Sequence, residues 1–204
     1  MSFFRPGPIR SWIPARDLAH VDEARMAGLD AAEATTLAAH VALAKSRVAA
    51  DRARATLERT AARRGGTHAE IGVARAVRRS AEAHSDDDAA GSAARGLSDA
   101  LEASDVLNLL IRWRRAEVRS ADATQVEALA AVWSAQAELE LKKAILVTAP
   151  DTGVTAFVRQ AERLGHAQTA AKRVAHDRAA DAERHRLVWR DARSGSPSAH
   201  TAAP

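Results

Sequence analysis

Between Arg16 and Arg64, small and apolar residues recur at every third or fourth position, through Leu29, Ala32, Thr36, Ala39, Leu43, Ser46, Ala50, Ala53, Leu57 and Thr60. That spacing keeps one narrow line on one side of a helix, the seam by which long helices pack on one another. The stretch contains no proline and a single glycine, Gly28, and Pro14 stands where a first helical turn tolerates a missing N–H. A second line, Leu37, Val41, Ala44 and Val48, lies about 100° round the same helix. Two apolar lines predict that the middle of this helix is buried between two neighbours.

Gly65-Gly66 is expected to end that helix, because glycine readily takes the left-handed conformation of a helix C-cap. Thr67 with Glu70 three residues on has the form of a capping box and predicts a shorter helix to His84, with Ile71, Ala74, Val77 and Ala81 on one face. Residues 85–96 are small and polar with two glycines, and read as a mobile loop. Leu97 to Arg119 is the most hydrophobic stretch, apolar on several faces and therefore central. Ser120 or Asp122 is a cap for a further helix that carries Val126, Leu129, Val132, Trp133 and Leu141 and stops before Pro150.

Asp151 or Thr152 begins the last helix, which is expected to run to Arg193 along Phe157, Ala161, Leu164, Gln168, Ala171, Ala175, Arg178, Ala182, His185 and Trp189. The fold class is thus all-α. The expected architecture is an elongated, coiled-coil-like bundle with two long terminal helices, alanine-rich seams and three shorter helices between them. The two long helices are expected to pair with each other. Residues 1–15 read as an extended arm with three prolines, 16–193 as a single helical domain, and 194–204 as a disordered tail.

Composition narrows this picture. Hydrophobic residues make up 47% of the 204 positions, but aromatics only 3% with no tyrosine, so the core must be thin and built on alanine contacts. Cysteine is absent, which excludes disulfides, thiolate ligands and thiol nucleophiles. No run of apolar residues approaches the length of a membrane span or of a signal-peptide core, and a soluble, cytoplasmic protein is the expectation.

The formal net charge is +4, and its distribution matters more than its size. Residues 1–64 carry eleven basic and seven acidic side chains, 65–150 ten and thirteen, and 151–204 nine and six. The basic excess therefore lies on the two ends. Arg52, Arg59 and Arg63 fall within about 40° of one another round the first helix, with Arg64 beside them. Arg184, Arg186 and Arg190 make a similar group near the end of the last helix, and Arg112, Arg114, Arg115 and Arg119 surround Trp113.

No familiar chemistry is written in the chain. Helical metal sites built on carboxylates need Glu-x-x-His, and no glutamate has a histidine three residues later. Asp17 with His20, Glu162 with His166 and Asp181 with His185 are spaced to share a helix face, where ion pairing or hydrogen bonding is the ordinary outcome. Neither a nucleophile elbow nor a phosphate-binding loop is present. The expectation is a non-enzymatic structural or interaction protein with no catalytic, cofactor or metal site and no small-molecule substrate. It would self-associate as a homo-oligomer, or bind a protein partner, through its long alanine-rich helices, with Phe3, Phe4, Trp12 and Ile13 of the arm as a docking element. The alternative is a basic nucleic-acid-binding accessory protein that contacts phosphates through Arg52, Arg59, Arg63, Arg64, Arg184, Arg186 and Arg190.

Overall fold

The computed structural model describes residues 23–147 and 154–195. Among these the chain is all-helical, an α-helical bundle of three helices: α1 (Glu23–Ala83), α2 (Asp87–Val147) and α3 (Val154–Gly195). The arm residues Phe3, Phe4, Trp12 and Ile13 and residues 196–204 of the tail lie outside the described residues, while Ser194 and Gly195, read as tail, end α3. The last helix is close to the one predicted. The three shorter helices are not found, because two expected breaks do not occur.

The first is Gly65-Gly66, which α1 crosses without interruption. Both glycines are exposed and neither adopts a left-handed conformation. The buried line explains this. It resumes past the glycines at Thr67, Ile71, Ala74 and Ala81, which keep the heptad phase of Thr60 although Arg63, Arg64 and Arg78 between them are exposed. A reversal at Gly65 would forfeit those contacts, while two glycines inside a helix cost only about 2 kcal/mol together. The second expected break, at Ser120 and Asp122, lies inside α2, where both residues are partly buried.

The true reversal is at Ser85, the one non-glycine residue with positive φ (56°) among those described. Asp86 N donates to Ala81 O at 3.1 Å and Ser85 N to Glu82 O at 3.2 Å. This is the paired hydrogen bonding of a Schellman C-cap, which occupies carbonyls that the end of α1 would leave bare. Asp86 at once caps α2, accepting from Ala89 N at 2.9 Å through Oδ1. Asp87 and Asp88 add negative charge at the positive end of α2. Residues 85–96, read as a loop, are therefore a tight turn followed by helix.

The three helices contribute to two compact units. One contains residues 23–44, 127–147 and 154–171. In it, Thr36 Oγ1 donates to Ala135 O at 3.3 Å, and Gln136 Nε2 lies 3.4 Å from His40 Nε2, which places α1 against α2. Gly165 of α3 faces Ser134 of α2. Leu29, fully buried, is the largest side chain completely closed off from solvent.

The other unit contains residues 45–126 and 172–195. Arg54 of α1 is paired with Asp122 of α2. Trp113 of α2 meets Trp189 of α3 and Arg119 meets Asp181, later residues facing earlier ones, so α2 and α3 run antiparallel. Between Val106 and Ala123 of α2 only Arg112, Arg115 and Arg119 are exposed, a single ridge at helical spacing. The remaining sides of this stretch are covered, as its hydrophobicity predicts.

Polar contacts join α1 to α2 in both units and α2 to α3 in the second. The ten-residue line from Leu29 to Thr60 is buried or half-buried throughout. The second line is not: Leu37, Val41, Ala44 and Val48 are all exposed. The middle of α1 is covered from one side only.

Candidate interaction surfaces

Alanine at a helix contact lets backbones approach but buries little apolar surface. The consequence is visible in the core. Among the described residues, the buried hydrophobic side chains are six alanines and only five larger ones: Leu29, Leu43, Ile71, Ile111 and Val132. Thirteen large hydrophobic side chains are exposed. In the first unit they include Leu37 (61% exposed), Val41 (47%), Trp133 (50%), Ile145 and Phe157; in the second, Val48, Val73, Val77, Leu101, Val126, Val174, Leu187 and Val188. Leu37 and Val41 lie on either side of His40 in sequence, and Trp133 precedes Gln136 by one turn. The His40–Gln136 contact thus brings these two rows side by side.

The second unit holds the arginines. Trp113 and Trp189 stack with centroids 4.9 Å apart and planes inclined at 27°. The Arg114 guanidinium lies 4.0 Å above Trp113, and that of Arg193 lies 5.6 Å from Trp189. Both contacts are favourable, since a cation is attracted to the negative face of an indole. Sequence reading placed Trp113 in the packed interior; its partner became legible only once the antiparallel register of α2 and α3 was known.

Asp181 gathers two guanidinium groups and an imidazole: Arg119 of α2 at 3.4 Å, Arg184 at 3.2 Å and His185 at 3.9 Å. Partial burial pushes its carboxyl upward, but the hydrogen bonds from Arg119 and Arg184 and the nearby charges outweigh this and hold it below its ordinary value. The Asp181–His185 spacing thus serves an ion-pair cluster. Among the described residues no group of three histidine or carboxylate side chains is gathered about a point that could hold a metal.

The two arginine groups differ. Arg186 is bound by both oxygens of Glu183 at 2.7 Å, Arg184 by Asp181, and Arg190 lies 3.8 Å from Asp191. The Arg186 hydrogen bond depresses Glu183, ahead of the opposing effect of burial, and Glu183 raises Arg186 in turn. On α1, Arg52, Arg59, Arg63 and Arg64 are exposed and make no ion pair among the described residues; Arg59 bonds only Ala55 O and Thr56 Oγ1 of its own helix. No helix among those described is long and apolar enough to cross a membrane. No known protein family, curated protein or solved structure matches the chain.

Proposed function

We propose that the chain is a non-enzymatic interaction protein that associates with a second copy of itself, burying side chains its own fold leaves in water. The observation that carries this reading is the exposure of its bulky residues: thirteen are exposed and only five fully buried, the others being half-buried. Isolated exposed apolar residues are ordinary, but a chain that leaves this many large ones exposed, fully buries few and half-buries the rest retains a capacity for association. The alanine seams proposed from sequence as the interface are used within the chain. The associating surface therefore falls on the other faces, with Leu37, Val41 and Trp133 as its centre in the first unit. Trp133 supplies the aromatic anchor such surfaces favour. Phe3, Phe4, Trp12 and Ile13 of the arm belong to the same reading as a docking element.

Sedimentation velocity over the micromolar range tests it. A mass that rises with concentration and falls in a Leu37→Ser/Trp133→Ser variant is expected; a constant monomer mass overturns the reading, and a protein partner of a different kind becomes the one to seek.

A second reading, nucleic-acid binding, draws on the absence of carboxylate partners round Arg52, Arg59, Arg63 and Arg64. Arg184, Arg186 and Arg190 support it less, since acidic neighbours already neutralise them. Retention on duplex DNA or on RNA should then fall steeply with salt and be lost in an Arg52→Ala/Arg59→Ala/Arg63→Ala variant. Retention indifferent to salt, or none, removes it.

A further inference from the structure

In the second unit α3 stops short of the turn that joins α1 to α2. The pairs Trp113–Trp189 and Arg119–Asp181 set its register, and at that register its last residue, Gly195, stands level with Val106 of α2. Burial changes at the same place. From Val106 to Ala123 α2 exposes only its arginine ridge, whereas from Asp87 to Asp105 no side chain is fully buried. Beyond α3 the unit is a hairpin of two helices joined by one line of mostly small residues, and such a layer buries little apolar surface.

The layer has two unlike faces. On α1 the line turned toward α2 runs through Thr67, Ile71 and Ala74, and on α2 the covered line runs through Leu97, Ala100 and Ser104. At 100° per residue, Val73 and Val77 of α1 and Ala89, Gly96 and Ala103 of α2 lie about 75–120° from these lines, all in the same rotational sense. The two helices run antiparallel from the turn at Ser85, so the same sense on each leads to the same face of the pair. Arg75 and Arg79 of α1 and Asp87 and Asp105 of α2 are displaced the other way and share the opposite face. Val73 is 64% exposed and Val77 52%, and a Cβ added at Gly96 would meet no atom within 4 Å.

We infer that this face is covered by the same face of a second copy, the two hairpin ends forming a four-helix bundle in which α1 of each lies on α2 of the other. Shape supports the pairing. Counted from the turn and from the Arg54–Asp122 pair, Val77 is level with Gly96 and Val73 with Ala103. A twofold axis along the helices keeps those levels, so the valines of one copy meet the small residues of its partner. Charge selects the same arrangement. Residues 61–83 carry five basic and two acidic side chains, and residues 86–105 one basic and six acidic. Setting α1 on α2 brings opposite charges together, whereas α1 on α1 brings like ones together. The inference rests on the self-association reading and gives it a second surface, in the second unit.

Two measurements on the full chain test it. Val73→Glu/Val77→Glu changes residues that stand in water in the single chain, so its helical content should equal the parent's. Its self-association by sedimentation velocity should be weakened about tenfold or more, because the contact would take two carboxylates out of water. The second measurement uses the absence of cysteine. A Val77→Cys chain mixed with a Gly96→Cys chain under mild oxidation should form the mixed disulfide ahead of either homodimer. Unchanged association in the glutamate variant, or homodisulfides formed as readily as the mixed one, overturns the inference and leaves self-association to Leu37 and Trp133; the face then belongs to a different partner or to residues 196–204. A parent that is monomeric throughout overturns both.

Discussion

Replacing Gly65 and Gly66 together by alanine separates two accounts of α1 by the sign of the result. Both positions are exposed, and a methyl group added at either meets no atom within 4 Å. The change therefore creates no clash and removes no contact. In a continuous helix each glycine is about 0.8–1.0 kcal/mol worse than alanine, so the pair should stabilise the chain by about 2 kcal/mol. For a chain of this size that corresponds to a rise in Tm of about 4–8 °C. Had the glycines formed a left-handed cap, each alanine would instead cost about 1–2 kcal/mol. Thermal unfolding followed by circular dichroism at the helical band, with urea unfolding as a second measure, reads the difference. A lower Tm in the double variant refutes the uninterrupted helix and the register of Thr60, Thr67 and Ile71 argued from it.

Ser85→Gly should stabilise the turn between α1 and α2 by about 1 kcal/mol, because glycine holds the 56° φ without strain, and Asp86→Ala should cost about as much; urea midpoints check both. Trp189→Ala should cost about 2–3 kcal/mol, less than for a fully buried ring, through loss of the Trp113 stack. Trp189→Phe should be within about 1 kcal/mol of the parent, since it keeps a ring and removes an indole N–H that is buried without a partner. Asp181 is depressed in the folded chain, so its contribution is present above its unfolded pKa and lost as pH falls through its lower folded value. Acid unfolding of the Asp181→Asn variant should accordingly be shallower below the ordinary carboxylate range, and an identical profile contradicts that role.

The seam on α1 was legible because one physical constraint, burial on one side, imposes one spacing, and each of its ten residues between Leu29 and Thr60 obeys it. The last helix was legible for the same reason. What misled were local signals weighed without tertiary context. Gly65-Gly66 and Ser120 are respectable stop and start signals, yet each costs less than the long-range contacts that a break would sacrifice. The actual turn uses Ser85, a residue with no special left-handed preference, and its stabilising bonds come from the backbone and from Asp86. The second apolar line at Leu37 to Val48 was correctly seen as apolar; periodicity cannot say whether a partner within the chain covers it. The Trp113–Trp189 stack required knowledge of which residues on α2 and α3 stand opposite one another.

That the exposed apolar faces exist to be covered by another copy of the chain is the central claim, and its most direct measurement is sedimentation equilibrium of the parent and of the Leu37→Ser/Trp133→Ser variant across the micromolar range. The account predicts a concentration-dependent oligomer for the parent and a shift of the variant toward monomer with its helical content unchanged. A parent that is monomeric throughout, or a variant that associates just as strongly, contradicts it.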